Sequence, residues 1–250
     1  MKTEWWEGFL SELWLDIVRG TPQDELDRAE VDFIEKVLQL QPEAKVLDVA
    51  CGEGRHALEL ASRGYHITGL DIALPLLEEA RRKATERQLE ITWEHRDMRD
   101  LPWQEEFDGV FCFLWAFSYF DEEEHLDFLK AVHRTLKPEG RFLFDTALAE
   151  TLFPTAQANQ RVWWGGGETL VLEQHSYDHV RSRADTEWTF VHEGKVEKKQ
   201  SSQRIYTYRE VLELLEEVGF AEFEGYGSLS QEQFRFGSKR LYMMATKEGA

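Results

Sequence analysis

Cysteine, basic side chains and long apolar runs are all scarce in this sequence of 250 residues. Only two cysteines, Cys51 and Cys112, are present, which excludes the disulfide framework of small secreted domains. Lysine and arginine total 29 against 48 acidic residues, and the net charge of −19 argues against nucleic-acid and anionic-membrane partners. The longest apolar stretch, residues 110–120, is far shorter than the ~20 residues that cross a bilayer.

Metal ligands and targeting signals are also missing from the pattern. None of the eight histidines has metal-ligand spacing with a carboxylate or cysteine partner, so we expect no metal. Residues 1–7 lack the apolar core of a signal peptide, which predicts a cytoplasmic protein. A hydrophobic content of 42% with 31% charged residues predicts a folded chain, either one large domain or a domain with an insert.

The most informative segment is residues 46–61, where an apolar run passes through a glycine turn into a helical pattern. The run carries Asp48 near its end and predicts a buried strand, and residues 55–61 predict an amphipathic helix. Gly52 and Gly54 allow a positive φ and a close approach of the backbone to a ligand. The N-terminus of the helix offers unpaired N–H groups. Such a crevice, at the carboxyl end of a strand, binds nucleotides in open α/β sheets.

A second acidic residue closes the next predicted strand. Asp71 follows Asp48 by 23 residues, near the ~20 that separate a nucleotide-binding turn from the acid that holds ribose hydroxyls. The turn lacks the G-x-G-x-x-G pattern, because Ala50 stands at the first glycine position and no glycine follows Gly54 near the helix start. This pattern favours an adenosine ligand without a pyrophosphate. It disfavours the alternative of a nucleotide-dependent oxidoreductase.

Strands and helices alternate from residue 45 to residue 145, which predicts a doubly wound, mainly parallel α/β sheet. Residues 161–206 break the alternation with β-rich pieces, which predict an antiparallel insertion after strand five. Within it, residues 163–167 are predicted to form a flexible aromatic loop. The sequence from Thr207 to Glu210 is a capping box, and residues 221–226 and 239–246 predict a closing hairpin.

The N-terminal region predicts two helices. Residues 5–18 carry aromatic and aliphatic side chains at helical spacing, and Trp5 and Trp6 are candidates for a lid over the nucleotide site, although such a stripe more often packs into a core. Thr21 and Pro22 are typical of a helix start. The apolar stripe of the second helix is Leu26, Phe33, Ile34, Val37 and Leu38.

Five segments together resemble the class I S-adenosylmethionine-dependent methyltransferases. The glycine turn at residues 46–54 is similar to their first motif, and Asp71 ends strand two in the second. The others are residues 95–102, 107–113 and 136–144, in the expected order and spacing. The resemblance implies a seven-stranded Rossmann-like methyltransferase fold. It implies S-adenosylmethionine as cofactor, bound by a domain of residues 1–160 and 207–250, with residues 161–206 as a substrate roof.

The resemblance also implies roles for the residues around the turn. Asp71 is expected to bind both ribose hydroxyls, or else to cap the next helix; Asp48 is expected to brace the turn or to reach the cofactor amino group. Asp97, with Met98, is expected at the adenine, unless it is a solvated loop residue. The complete set of expected cofactor-binding residues is Asp48, Ala50, Cys51, Gly52, Gly54, Arg55, Asp71, Ile72, Asp97, Met98, Arg99, Phe113 and Leu114.

The methyl acceptor is expected to be a small molecule that is methylated on nitrogen or oxygen, by a monomer or homodimer. A hydroxyl acceptor requires a base, and the candidate catalytic residues are Tyr119, Asp145, His175 and Arg204. The last two belong to an insertion rich in aromatic and polar residues, which could instead be a sheet face packed on the core. The alternative without catalysis is a cofactor-binding regulatory or non-catalytic methyltransferase-like protein.

Overall fold

Alternating helices and strands make up most of the chain in the computed structural model, which describes residues 4–10, 12–19, 24–154, 161–166 and 168–249. The elements of the first half are α1 Trp6–Phe9, α2 Glu12–Arg19, α3 Asp24–Leu38, β1 Lys45–Val49, α4 Arg55–Ser62, β2 His66–Asp71, α5 Leu74–Arg87, β3 Ile91–His95, β4 Phe107–Cys112, a 3-10 turn Ala116–Ser118 and α6 Glu122–Thr135. Those of the second half are β5 Leu136–Thr146, α7 Ala149–Leu152, β6 Arg161–Gly166, β7 Thr169–Asp178, β8 Arg183–His192, β9 Lys195–Arg204, α8 Tyr208–Glu217, β10 Phe220–Tyr226 and β11 Leu241–Lys247.

Seven strands form the main sheet in the order β10-β11-β5-β4-β1-β2-β3. The pairs β1–β2, β2–β3, β1–β4 and β4–β5 are parallel, whereas β11 is antiparallel to both β5 and β10. This confirms the predicted doubly wound, mainly parallel sheet and its closing hairpin. The strand order reverses between β1 and β4, so a crevice opens beyond the carboxyl ends of these strands.

The central strands are buried on both faces because helices cover both sides of a parallel sheet. Val46, Leu47 and Val49 of β1 have no exposed surface, and neither do Val110 and Phe111 of β4. These runs are therefore continuously apolar rather than alternating. Among the helices described, none is long and apolar enough to span a membrane.

The insertion after β5 is a separate four-stranded antiparallel sheet with the order β6-β7-β8-β9. It confirms the predicted antiparallel insertion. The prediction of a flexible loop at residues 163–167 is wrong for residues 163–166, which lie in β6 and pair with β7 from Arg161–Gln174 to Gly166–Thr169. The loop prediction failed because the three consecutive glycines suggested a turn, whereas Gly165 and Gly166 continue the pairing of β6 with β7.

The N-terminal helical region differs from the prediction in two respects. The single helix expected over residues 5–18 is two helices, α1 and α2, and Leu26 is 42% exposed rather than part of the buried stripe. Phe9 of α1 packs against Trp188 and Phe190 of the insertion, with ring centroids 5.2 and 6.1 Å apart. The helix start predicted at Thr21 and Pro22 lies outside the described residues.

The capping box that starts α8 is present as predicted. The Thr207 side chain accepts from the Glu210 amide, and the Glu210 carboxylate accepts from the Thr207 amide at 2.7 Å. These reciprocal bonds satisfy two amide donors at the helix start. They place α8 directly after the insertion, at the point where the chain returns to the main sheet.

A candidate cofactor and acceptor site

A cavity of about 810 Å³ lies at the carboxyl ends of β1, β2 and β4. Its volume is within the range of roughly 300–1,000 Å³ that is usual for small-molecule sites. The glycine turn and the end of β2 form its floor, and α1, α2 and the insertion contribute aromatic and aliphatic side chains. Predicted site residues in its lining are Asp48, Ala50, Cys51, Gly52, Arg55, Asp71, Ile72, Asp97, Met98, Phe113, Leu114 and Tyr119.

Backbone hydrogen bonds fix the glycine turn, and its conformation and contacts favour glycine at two positions, 52 and 54. The Cys51 amide donates to the Leu70 carbonyl at 2.9 Å, and the Gly54 amide donates to the Cys51 carbonyl at 2.9 Å. Gly54 has φ 75°, and a Cβ there would lie 2.5 Å from Cη2 of Trp93. At Gly52, φ is 55° and the nearest side-chain atom to a Cβ would be 3.9 Å away, so its backbone borders open space.

Asp71 accepts two hydrogen bonds from the backbone around the site. Its Oδ2 accepts from the Gly52 amide at 2.8 Å, and its Oδ1 accepts from the Ala73 amide at 2.7 Å. Burial raises the pKa of Asp71, although these backbone hydrogen bonds oppose the shift. The bond to Ala73 matches the capping alternative, because α5 begins at the next residue. A carboxylate has about four acceptor positions, so capacity for ribose hydroxyls remains.

Asp48 is a buried carboxylate with an unsatisfied oxygen. The residue is 2% exposed, and no described residue forms a hydrogen bond with its Oδ2. Burial raises the pKa of Asp48 well above its usual value, against the nearby charge of Arg55. An unpaired buried carboxylate is costly unless a ligand donates to it. The residue therefore fits a ligand that places an ammonium or another N–H donor beside β1.

A charged cluster beside the turn was not predicted from the sequence. Arg55 contacts Asp27 and Glu30 of α3, each at 2.5 Å, and His56 Nε2 lies 2.8 Å from the Glu30 carboxylate. Burial opposes ionisation of Glu30, but His56 and Arg55 outweigh it and lower its pKa to about 2. Burial lowers the pKa of His56, so at neutral pH we infer that Nε2–H donates to Glu30.

The segment expected at the adenine is stabilised by its own ion pairs. Asp97 and Met98 line the cavity, but Arg99 does not appear in the lining. The Asp97 carboxylate accepts from the Arg99 amide at 2.8 Å and pairs with its guanidinium at 2.6 Å. Burial opposes ionisation of Asp97, and these bonds reverse the effect and lower its pKa. Arg99 also lies 5.7 Å from the ring centroid of Trp6, which joins this segment to α1.

The segment after β4 brings strained backbone and aromatic rings to the cavity. Leu114 and Trp115 both have φ 63°, an uncommon conformation for large side chains that often marks functional positions. The Tyr119 ring stacks on Trp6 at 5.9 Å. Burial, with the charge of Asp71, raises the pKa of Tyr119. At neutral pH its phenol is therefore a hydrogen-bond donor rather than a base.

Asp145 lies at the end of β5, outside the cavity lining. Its Oδ1 accepts from the Trp115 amide at 3.0 Å, and Arg240 Nη1 lies 2.9 Å from Oδ2 without hydrogen-bond geometry. Burial raises the pKa of Asp145 to about 6, against the opposing charge of Arg240. This carboxyl therefore titrates nearer to neutral pH than an ordinary aspartate.

Asp145→Asn should remove a pH-dependent loss of stability. The pKa of this carboxyl is about 6 in the folded protein against an ordinary 3.8, so the folded state binds the proton more tightly. The free energy of unfolding should then fall as pH rises from about 4 to 6, by on the order of 2–3 kcal/mol, and stay reduced above pH 6. Melting temperatures at pH 5 and pH 7 check this. We expect the melting temperature of Asp145→Asn to exceed that of the wild type by more at pH 7 than at pH 5. An equal difference at the two pH values would contradict this prediction.

The structure places His175 and Arg204 away from the cavity lining. His175 Nδ1 lies 3.0 Å from Thr186 Oγ1 and its Nε2 lies 3.1 Å from Glu173. Arg204 is buried and pairs with Glu122 at 2.6 Å and with Glu210 at 3.3 Å. Arg204 thus joins β9 to the starts of α6 and α8.

The order of the strands, the glycine turn and the acids at the ends of β1 and β2 define a class I methyltransferase fold with a nucleoside-sized site. Residues 46–140 match the family model of the methyltransferase domain. This match and the shared fold support the resemblance of its motifs to the class I S-adenosylmethionine-dependent methyltransferases.

Two relatives are similar to this chain, one over nearly all of it and one over half. A glycine/sarcosine N-methyltransferase of Aphanothece halophytica is 24% identical over 252 residues, covering 99% of this chain and 91% of the relative. A ubiquinone biosynthesis O-methyltransferase of Alkalilimnicola ehrlichii is 30% identical over 131 residues, half of each chain.

Solved structures show the same fold. An S-adenosylmethionine-dependent methyltransferase from Clostridium acetobutylicum superposes with a TM-score of 0.80 at 20% identity, covering 93% of this chain and 95% of that one. The S-adenosylmethionine-bound amino pentose methyltransferase CalS10 of Micromonospora echinaspora gives a TM-score of 0.64 at 20% identity, with coverages of 91% and 92%.

Proposed function

We propose that this protein transfers a methyl group from S-adenosylmethionine to a nitrogen or oxygen atom of a small molecule, with nitrogen favoured. The observation that carries the proposal is one continuous cavity. It extends from the glycine turn and the two acids to the aromatic side chains of α1, α2 and the insertion. The glycine turn and the two acids thus offer nucleoside-binding groups, and the aromatic side chains offer an apolar wall for an acceptor.

The residues present fit the cofactor. Asp71 would accept from the ribose hydroxyls while keeping its backbone bonds, and the unpaired Asp48 Oδ2 would accept from the ammonium of the methionine part. Asp97 and Met98 would border the adenine. Bound there, S-adenosylmethionine supplies an already activated methyl group. The protein's contribution is then to orient the acceptor in line with that group and to exclude water.

An amine acceptor is favoured because, among the described residues, the aromatic side chains of the cavity are not accompanied by a candidate base. A hydroxyl must lose its proton during transfer, whereas an amine needs only to arrive neutral. Tyr119 has a raised pKa and stays protonated. Asp145, His175 and Arg204 do not line the cavity. The names of two similar proteins, a glycine/sarcosine N-methyltransferase and an amino pentose methyltransferase, support nitrogen, and the O-methyltransferase relative keeps oxygen as the alternative.

We also propose that residues 161–206 act as a roof over the acceptor, and that residues 1–160 and 207–250 hold the cofactor. Support comes from the separate hydrogen bonding of the two sheets, and from Trp164, whose side chain joins the cavity lining. The aromatic contacts of α1 with the insertion place the N-terminal helices beside this roof.

Turnover tests the proposal. The protein is incubated with S-adenosylmethionine and glycine, sarcosine, an amino pentose or a phenol, and products are detected by mass spectrometry as one added methyl group. We expect methylation of at least one amine, and slower methylation at subsaturating S-adenosylmethionine by an Asp71→Ala variant that lacks the ribose acceptor. Binding of S-adenosylhomocysteine without methylation across a broad amine and hydroxyl panel would instead support the non-catalytic alternative.

A further inference from the structure

Two adjacent tryptophans of β6 occupy opposite faces of the insertion sheet. Trp164 pairs with Val171, which pairs in turn with Phe190, and both of those partners are at most 2% exposed. Trp163 pairs with Leu172 and is 57% exposed. Directly opposed residues in an antiparallel sheet share one face, so Trp164 belongs to the buried face and Trp163 to the outer one.

Trp164 is the insertion's contribution to the cavity among the described residues. Its indole Nε1–H donates to the carboxylate of Glu173. Glu173 lies on β7, two residues from Val171, which pairs with Trp164. Glu173 is in turn 3.1 Å from Nε2 of His175. A tryptophan whose N–H is bonded to a carboxylate has a fixed ring orientation, and the acceptor charge increases the electron density of the indole. The strand therefore presents a preoriented ring at this wall.

Aromatic rings from other elements also line the cavity. Trp6, Trp14 and Tyr119 line it together with Trp164. Arg99 lies over Trp6, at 5.7 Å from its ring centroid, so one of these rings already contacts a cation of the protein. The face of an indole attracts ammonium groups electrostatically, and most strongly where water is excluded.

We propose that Trp164 is a specificity-determining residue whose indole binds the ammonium form of the amine acceptor. The inference rests on the proposed function and adds the recognition of a cationic substrate to it. The ammonium is the form that is recognised. It then gives its proton to a water molecule that enters with it and leaves as hydronium, and the lone pair so formed on the neutral amine attacks the methyl group. Truncation of Trp164 should weaken acceptor binding about three- to thirtyfold, the usual range of a partly desolvated cation–π contact.

Tetramethylammonium chloride tests the inference without turnover, because it is a cation that can be neither methylated nor deprotonated. It is titrated into the protein saturated with S-adenosylhomocysteine, and binding is measured by calorimetry. S-adenosylhomocysteine fills the cofactor site but has an uncharged sulfur, so it does not repel the cation. We expect binding by the wild type, binding weakened at least threefold in Trp164→Ala, and partial recovery in Trp164→Phe, which keeps a ring but loses the bond to Glu173. Neutral tert-butanol, similar in shape, should bind more weakly than the cation.

Trp163→Ala is the matched control, since it removes the neighbouring indole from the outer face. It should leave the affinities for tetramethylammonium and S-adenosylhomocysteine unchanged. Equal tetramethylammonium binding by wild type and Trp164→Ala, or none by the wild type complex, would overturn the inference. Weaker S-adenosylhomocysteine binding by Trp164→Ala would overturn it too, by assigning the ring to the cofactor. Failure of the wild type to bind S-adenosylhomocysteine would count against the proposed function itself.

Discussion

A Gly54→Ala variant should lose roughly 2–4 kcal/mol of folding stability. Two costs add. The residue has φ 75°, which costs an L side chain about 1–2 kcal/mol, and the new methyl group would lie 2.5 Å from the Trp93 ring and 3.1 Å from Ala80 Cβ. Relief of this clash must move the turn away from the Trp93 ring of β3, so affinity for S-adenosylhomocysteine should fall as well. Urea unfolding and calorimetry measure the two effects.

Gly64→Ala is the appropriate control for the backbone term. Gly64 also has a positive φ, 93°, but no atom lies within 4 Å of the position of its Cβ. Gly64→Ala should lose only the folding stability that the positive φ costs an alanine, about 1–2 kcal/mol, and its affinity for S-adenosylhomocysteine should be unchanged. Equal losses of stability in the two variants would show that the contact between the turn and Trp93 does not contribute.

Asp71→Ala should weaken the binding of S-adenosylhomocysteine about 10- to 100-fold, because a charge-assisted hydrogen bond contributes about 1.5–3 kcal/mol. It should also lower the melting temperature, since the amides of Gly52 and Ala73 lose their acceptor. Asp71→Asn keeps one acceptor oxygen and should fall between the variant and the wild type. Circular dichroism establishes folding, and calorimetry gives the affinity.

Asp100→Ala provides the comparison on the surface. Its side chain is 74% exposed and pairs with Arg96, an arrangement that contributes little to stability. We expect wild-type affinity and nearly wild-type melting. A folded Asp71→Ala protein with unchanged affinity would remove Asp71 from the cofactor site and leave only its capping contact with Ala73.

The cofactor end of the site could be predicted from the sequence because its determinants are local. A strand, a glycine turn and a helix are specified by consecutive residues, and Asp71 ends the next strand. The cluster of Arg55, His56 and Glu30 could not be predicted. His56 and Glu30 are 26 residues apart in sequence, and they lie on two helices whose packing is set by the whole sheet. The only local signal was the position of His56 on the first turn of α4, beside the glycines.

The residues of the insertion that line the cavity were predicted less well. The alternation of a strand shows which face a residue belongs to, but not how far along the strand the cavity lies. His175 shares a face with Val171, yet it lies four residues, about 13 Å, further along β7. The cavity is reached by Trp164 instead, whose direction follows from pairing between β6 and β7. Arg204 satisfied the expected pattern of a polar roof residue, but Glu122 and Glu210 surround it in the fold.

Binding of S-adenosylhomocysteine compared with NADH tests the central claim most directly. The glycine turn lacks a pyrophosphate cradle, and Asp48 and Asp71 suit a nucleoside with an amino acid attached. At a hundredfold excess over its dissociation constant, S-adenosylhomocysteine should stabilise the native state by about 2.7 kcal/mol and raise the melting temperature, and NADH should not. A melting shift with NADH and none with S-adenosylhomocysteine would contradict the assignment of this cavity to S-adenosylmethionine.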